Sequence, residues 1–414
     1  MHAMTAVNVA ELVRRGVVIP RPDLVHIASD VDPSRIESGA VLLPFVRLEG
    51  ARSAVGRGAK IGSGGPVYLR DCAAGRNVDL ASGTFEDAVF LDGAAFGPSG
   101  HARAGTLFEE GAKAAHACGV KQTILLPFAT LGSLINFCDC LLAGGTGSED
   151  HSEVGSGFIH FNFSPSGAHG DKATPSMFGD VVRGVFLRER RIFLGGDAGV
   201  VGPTTVGFGT VLAAGTTYRK DRGEDRLVYA ERLPDRERPF DPIVFRNAKE
   251  KIHKNVAYLA QLAALRCFYV EVRAALALGD AFATLLVQAA IEVLDVAARE
   301  RVRQLERLGP DFIRSAEKLR SEGAEAGSPE VAYQIAFAAR IATARPALID
   351  LASAAKATAD GAESAAFAAA AARPPGGYLD WVRGLSDTGF GAGRARLAAA
   401  ADAYLRQVGP MLGV

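Results

Sequence analysis

A period of six constrains this 414-residue chain more than any other feature of its sequence. Phe90, Phe96, Ala102, Phe108, Ala114, Val120 and Leu126 follow one another at that interval. So do Leu194, Val200, Val206, Leu212 and Tyr218, and, more briefly, Val55, Ile61 and Val67. Glycine follows many of these positions, as in "VGRGAKIGSGG" and "VGFGTVLAAGTT". A helix repeats at about 3.6 residues and a strand at 2, so neither alone makes a six. Six suits short strands joined by glycine-rich corners, with one inward side chain on each flat face of a prism. That is the hexapeptide-repeat parallel β-helix, whose inward aliphatics stack coil upon coil. A β-sandwich would need the same spacing by coincidence over seven consecutive positions.

The repeat fits poorly over 65–82 and 221–242, and beyond the second of these the period changes. "DRGEDRLVYAERLPDRERPFDP" is charged and proline-bearing and reads as a linker. After it, "FRNAKEKIHKNVAYLAQLAALRCFYVEVRAALALG" carries apolar residues at three- and four-residue steps, and Gly279 suits a helix end. Further helices are expected over 281–308, 311–322, 329–343, 345–371 and 393–408, punctuated by Pro310, "GSP" and "RPPGG". The expected organisation is an N-terminal segment 1–24, a β-helix 25–222, a linker 223–243 and an α-helical bundle 244–414.

Lysine plus arginine equal aspartate plus glutamate at 46 each, which offers no global field for nucleic acid or an anionic membrane. No apolar run approaches the roughly 18–20 residues of a membrane span or has signal-peptide form. Five cysteines without a framework spacing read as reduced thiols, so a cytoplasmic protein is expected.

One stretch exceeds what a coil needs. "GSGFIHFNFSPSGAHGDKAT", residues 155–174, gathers His160, Asn162, His169, Asp171 and Lys172, and 163–174 reads as a loop ejected from a corner. Just upstream "GTGSEDHSEVG" supplies Asp150, His151 and Glu153. A histidine whose tautomer a carboxylate fixes is a general base near neutral pH, so His151 with Glu153 and His160 with Asp171 are the candidate pairs. His160, six after Val154, equally suits an inward structural position. Lys172 and Asp171 either bind phosphate and order the loop or form an ordinary ion pair. Arg103 and Lys121 stand eighteen residues apart, one full coil, so they stack on one face and could hold a diphosphate together.

Taken together, "FGPSGHARAGTLFEEGAKAAHACGVKQ", "GSGFIHFNFSPSGAHGDKAT" and "LGGDAGVVGPTTVGFGTVLAAGTTYRKD" resemble the β-helix domain of the bifunctional N-acetylglucosamine-1-phosphate uridyltransferase/glucosamine-1-phosphate acetyltransferases. The resemblance covers roughly residues 25–222 and is strongest over 194–221. It implies a left-handed parallel β-helix that forms a homotrimer, with sites between neighbouring prisms for a sugar phosphate or nucleotide sugar beside acetyl-CoA or another acyl-CoA. It places Arg103 and Lys121 at phosphates and Asn162 where the amine and acyl group are oriented. Two departures stand out. Where the family has a catalytic histidine this chain has "SLINFCDCLLAGG", offering Asn136 or Asp139, and no glycine-rich nucleotide loop of a uridyltransferase precedes the repeat.

The leading expectation is an acyltransferase acting on an amino-sugar phosphate or nucleotide sugar, with His151 or His160 as base, Asn162 as orienter, and Arg103, Lys121 and Lys172 on phosphate. The alternative is a non-catalytic sugar-nucleotide-binding or scaffold protein. A metal-dependent hydratase on the same prism needs three converging histidines, and His151, His160 and His169 lack the coil spacing, so no bound metal is expected.

Overall fold

The structure, a computed structural model, describes residues 9–230, 235, 237, 239–325, 327–353 and 377–414. From Val18 to Val228 the chain winds as a left-handed parallel β-helix with three faces. The period of six is one inward residue per face. Phe90 pairs with Phe108 on one face, Phe96 with Ala114 on the next and Ala102 with Val120 on the third, each eighteen residues on. Four of the phenylalanines of these central coils, Phe85, Phe90, Phe96 and Phe108, pack ring against ring at 5.3–5.7 Å inside the prism.

The register departs from a strict six at several corners. Phe108 pairs with Leu125, not Leu126, because the coil is one residue short at the corner where Gln122 takes φ 53°. Residues 65–82, which fit the repeat poorly, do continue the prism. Val67–Arg70, Ala73–Ala74 and Asp79–Leu80 each occupy a face, with coils of twenty-one and nineteen residues and the small Ala74 inward. Leu227–Val228, which the sequence placed in the linker, forms the last strand of the ten-stranded face.

The three faces differ on the outside. Along the ten-stranded face the outward positions include Lys60, Asp79, Lys113, Thr130 and Glu153, and the inward ones Ile61, Leu80, Ala114, Leu131 and Val154. That alternation is a half-solvated sheet. A second face runs through Ala88–Phe90, Thr106–Phe108 and the later halves of Gly119–Leu125 and Asn136–Leu142. Its outward residues Val89, Leu107, Ile124 and Leu141 are apolar and buried. The C-terminal helices cover them.

The helices are α1 (9–14) ahead of the prism and α2 (Val181–Gly184) within its span, then in the C-terminal part α3 (Ala248–Phe268), α4 (Ala274–Ala277), α5 (Ala281–Ser321), α6 (Pro329–Ile349), α7 (Tyr378–Arg383) and α8 (Asp387–Leu412). Five residues, Tyr269–Arg273, form a π turn between α3 and α4. Gly279, at φ 85°, turns the chain from α4 toward α5. The side chain of Asp280 caps α5 by accepting from Phe282 N (3.1 Å) and Ala283 N (3.0 Å), and an ion pair to Arg76 ties that start to the prism.

Pro310 does not end a helix, so the stretches 281–308 and 311–322 are one α5. A mid-helix proline removes a backbone bond at a cost of roughly 3 kcal/mol. Here tertiary packing holds both sides: Leu308 and Phe312 are buried, and the Phe312 ring meets Phe245 and Phe337 at 5.3 and 5.2 Å. Likewise α6 runs through Pro346, joining 329–343 to the start of 345–371, and residues 354–371 of that expected helix lie outside the described residues. Helix α5 is long and apolar enough to cross a membrane by length and composition, and here it lies against the prism and α6.

Candidate functional site

Successive coils bring Arg103, Lys121 and Cys138 into one column beside a corner of the prism. Arg103 donates its backbone N–H to Val120 O (3.0 Å), and Lys121 stands opposite Cys138 in the ladder. In the next coil Asn136 pairs with Ile159, which carries Asn162 to the same corner just past Phe161. Asp139 makes that corner, turning at φ 58°, and the residue is 7% exposed. Lys172 comes back from the ejected loop, and Glu300 and Gln304 reach across from α5. Together they line a cleft of about 250 Å³.

The charges in this cleft are unevenly satisfied. Asp139 is fully engaged: Oδ2 accepts from Asn162 Nδ2 at 2.6 Å, and Oδ1 is ion-paired with the buried Arg301. The carboxylate of Glu300 takes Arg303 and Gln304 Nε2 (2.7 Å) and has Lys121 Nζ at 4.0 Å. Among the described residues, Arg103 and Lys172 have no carboxylate within 4.0 Å; the polar contact of the Arg103 guanidinium is Cys138 Sγ at 3.7 Å. Asn162 Oδ1 accepts no hydrogen bond from the described residues. Burial and then Asp139 push the Cys138 thiol up, only partly countered by Arg103 and Lys121, so it is a thiol and not a nucleophilic thiolate.

Of the residues singled out in the sequence, Arg103, Lys121, Asn162 and Lys172 meet here, as do Asn136 and Asp139, the residues found where the family histidine was sought. The other candidates do not. His160 faces into the prism. Its Nδ1–H donates to Cys138 O (2.6 Å), and Nε2 accepts from Ser176 Oγ (2.7 Å), which in turn accepts from Thr204 N (3.0 Å). Gly202 closes over the ring, where a Cβ would lie 2.8 Å from Nε2. Burial lowers the imidazole to about 4, so it stays neutral, enclosed and hydrogen-bonded at both nitrogens. It is a structural histidine and not the expected base.

His151 and Glu153 lie on other parts of the prism. His151 belongs to a short hairpin, Gly145–Gly147 with Asp150–His151, and its Nδ1 bonds Ser148 O at 2.9 Å. Glu153 sits in the ten-stranded face opposite Thr130 and Phe193, and lines a surface groove with Asp150, Arg190 and Arg191. Asp171, 2% exposed, is ion-paired with Lys251 and accepts from Ala173 N (2.8 Å), which leaves it an anchor of the loop; it does not pair with His160. His169 is exposed. The loop as a whole is pinned to the helices. Gly167 N reaches Pro242 O (2.7 Å), Ala168 N reaches Asp311 (3.2 Å), and the carbonyls of Lys172 and Ala173 accept from Arg301 (2.8 Å) and Asn255 (3.0 Å).

The residues that sequence reasoning missed are those of α5: Glu300, Arg301 and Gln304. Their helical spacing signals packing, and nothing local ties them to a corner more than 120 residues earlier in the chain. The described residues contain no group of three or more His, Cys, Asp or Glu side chains arranged to hold a metal ion. All five cysteines are buried and free.

No family model matches the chain. Among curated proteins it is similar to the bifunctional protein GlmU of Trichlorobacter lovleyi, 28% identical over 221 residues, which is 53% of this chain and 42% of the relative. The GlmU of Baumannia cicadellinicola is 24% identical over 248 residues, 60% of this chain and 46% of the relative. That of Thermotoga maritima is 25% identical over 214 residues, 52% and 42%. The chain thus spans less than half the length of the relatives it matches. Over about half of its own length the resemblance read from the hexapeptide prism holds.

Proposed function

We propose that this chain is a transferase-related β-helix protein whose corner cleft binds the phosphate end of a sugar phosphate or nucleotide sugar. The observation that carries the reading is the convergence of Arg103, Lys121 and Lys172 on one cleft in which two of the three have no carboxylate partner. Phosphate offers several acceptor oxygens to such cations, and charge-assisted bonds are the strong ones. Asn162 adds an amide whose orientation Asp139 fixes, leaving Oδ1 to accept from a ligand hydroxyl or amine. The cleft, at about 250 Å³, is smaller than the roughly 300–1,000 Å³ of pockets that enclose whole drug-sized ligands. It therefore takes the phosphate-bearing end and leaves the rest of a nucleotide outside.

Acyl transfer from acetyl-CoA or another acyl-CoA is the second reading, favoured by the similarity to GlmU. An attacking amine must lose a proton, and the thioester oxygen needs a donor. No histidine lines the cleft among the described residues, so within this reading the proton falls to Glu300, which faces the cations from α5. Assembly into a trimer, as the resemblance implies, belongs to this second reading. A cytoplasmic location belongs to the same reading.

Calorimetry of the full chain with glucosamine 1-phosphate, UDP-N-acetylglucosamine and inorganic phosphate tests the binding reading, and coenzyme A release from acetyl-CoA tests the second. Arg103→Ala should weaken the phosphate ligands by about 1.5–3 kcal/mol at an unchanged melting temperature. Wild-type protein that binds none of the three ligands ends the binding reading. Binding without coenzyme A release leaves it standing and ends the transferase reading.

A further inference from the structure

We infer that Arg301 of helix α5 is a positioning residue for the phosphate cleft, an inference that rests on the cleft reading above. Its guanidinium is 2% exposed and joins two parts of the site. Nη2 is ion-paired with Asp139 Oδ1, and Nη1 donates to Lys172 O at 2.8 Å. The ring of Tyr258 lies beneath the guanidinium at 5.9 Å.

Three consequences follow for groups that line the cleft. Asp139 is held at the corner because the fixed Arg301 guanidinium faces its Oδ1. With Asp139 as an acceptor, Asn162 must present Nδ2 to it, so the amide oxygen is the atom left for a ligand. The backbone of Lys172 is held at the cleft wall, which brings its ammonium to the same cavity as Arg103 and Lys121. Removing Arg301 would leave the buried Asp139 carboxylate without its cation, free the Asn162 amide to reverse, and release Lys172. None of this requires Arg301 to touch the ligand. Lysine cannot replace it, because a point charge does not serve two acceptors in fixed directions.

The helical domain is therefore part of the site, and not an appendage to the prism. Arg273 supplies the control. It is another buried arginine bridging helix and prism, paired with Glu110 at 2.5 Å, and no residue of that contact lines the cleft.

The experiment measures affinity for glucosamine 1-phosphate and UDP-N-acetylglucosamine, together with melting temperature, in full-length wild type, Arg301→Lys, Arg273→Met and the double variant Arg301→Met/Asp139→Leu. Arg301→Lys should lose about tenfold or more in affinity while remaining folded. Arg273→Met should melt lower yet bind as wild type when assayed well below its melting point. The double variant replaces a buried ion pair by apolar groups and should regain stability without regaining affinity. Wild-type affinity in a folded Arg301→Lys or in the double variant overturns the inference and leaves the cleft reading intact. A wild-type protein that binds neither ligand overturns the cleft reading, and the inference falls with it.

Discussion

Two of the charged contacts between the helices and the prism are built in opposite senses. At one, Asp139 and Glu300 face Arg301, Arg103, Lys121 and Lys172, a surplus of cations around an open cleft. At the other, Glu109 and Glu110 face Arg273, a surplus of carboxylate. There the Tyr269 hydroxyl donates to Glu109 Oε1 (2.6 Å), and Arg273 Nη2 pairs with Glu110 Oε1 (2.5 Å). The Arg273 guanidinium is enclosed between the rings of Tyr269 and Tyr378, at 5.2 and 4.1 Å from their centroids. The π turn Tyr269–Arg273 supplies both side chains from one widened turn of helix. Charge that is buried against opposite charge holds two parts of a molecule together. Charge left without a partner beside a cavity is free for a ligand. Arg273 and Arg103 illustrate the two uses.

Breaking the closed contact should produce the largest effect. Arg273→Met removes one partner of a buried pair and strands Glu110, a loss of about 3–5 kcal/mol in unfolding free energy. Denaturant melts of the full chain measure it. A loss below about 1 kcal/mol would place the Arg273 contact with exposed ion pairs and erase the contrast between the two contacts.

The same contact should set a pH dependence of stability. Burial pushes the Glu109 carboxyl up to about 7, against an ordinary value of 4.5, because a single hydroxyl donor and the Arg273 charge do not replace water. A raised carboxyl means that the folded chain keeps this proton to higher pH than the unfolded chain. The folded state is therefore undisturbed by Glu109 below 4.5 and loses stability as pH rises through about 7. The window is worth on the order of 3 kcal/mol at most. Glu109→Gln keeps an acceptor for Tyr269 and should flatten this part of the profile. Equal stability loss in wild type and variant between about pH 5 and about pH 8 would assign the dependence to other groups.

How much of this was legible depends on how local the signal is. The prism was, because inward packing imposes its period directly on the chain: Phe90, Phe96 and Ala102 report three faces in thirteen residues. Coil length then placed Arg103 under Lys121 without any structure. The coils over 65–82 escaped because their lengths of twenty-one and nineteen break the count, and Ala74 carries little apolar signal. The covered face did leave a trace. "AVF", "TLF", "TIL" and "CLL" are apolar at inward and outward positions alike, where the bare face alternates. The direction of the histidines was not legible, because the chemistry of a side chain says nothing of where it points. His160 obeys the six-residue step from Val154 and points inward with it. Arg301 was beyond reach, since only the folded path of α5 brings it to Asp139.

The smallest effect sharpens the comparison from outside both contacts. His151 and Glu153 satisfy the usual chemistry of a base and its orienter, and they are close in sequence. The hairpin that carries His151 gives its Nδ1 to the Ser148 carbonyl, so no carboxylate sets its tautomer. Glu153 stands in the solvated alternation of the ten-stranded face. Neither borders the cleft or the Glu109 contact. His151→Ala and Glu153→Gln should each change unfolding free energy by no more than about 0.5 kcal/mol, as surface substitutions do. They should also leave the affinity for glucosamine 1-phosphate and any coenzyme A release unaltered. A general base would instead cost about 10²–10⁴ in rate on removal. If His151→Ala abolished coenzyme A release at wild-type stability, the reacting centre would lie at the hairpin, and the unpaired cations of the Arg103 corner would mark only where the phosphate rests.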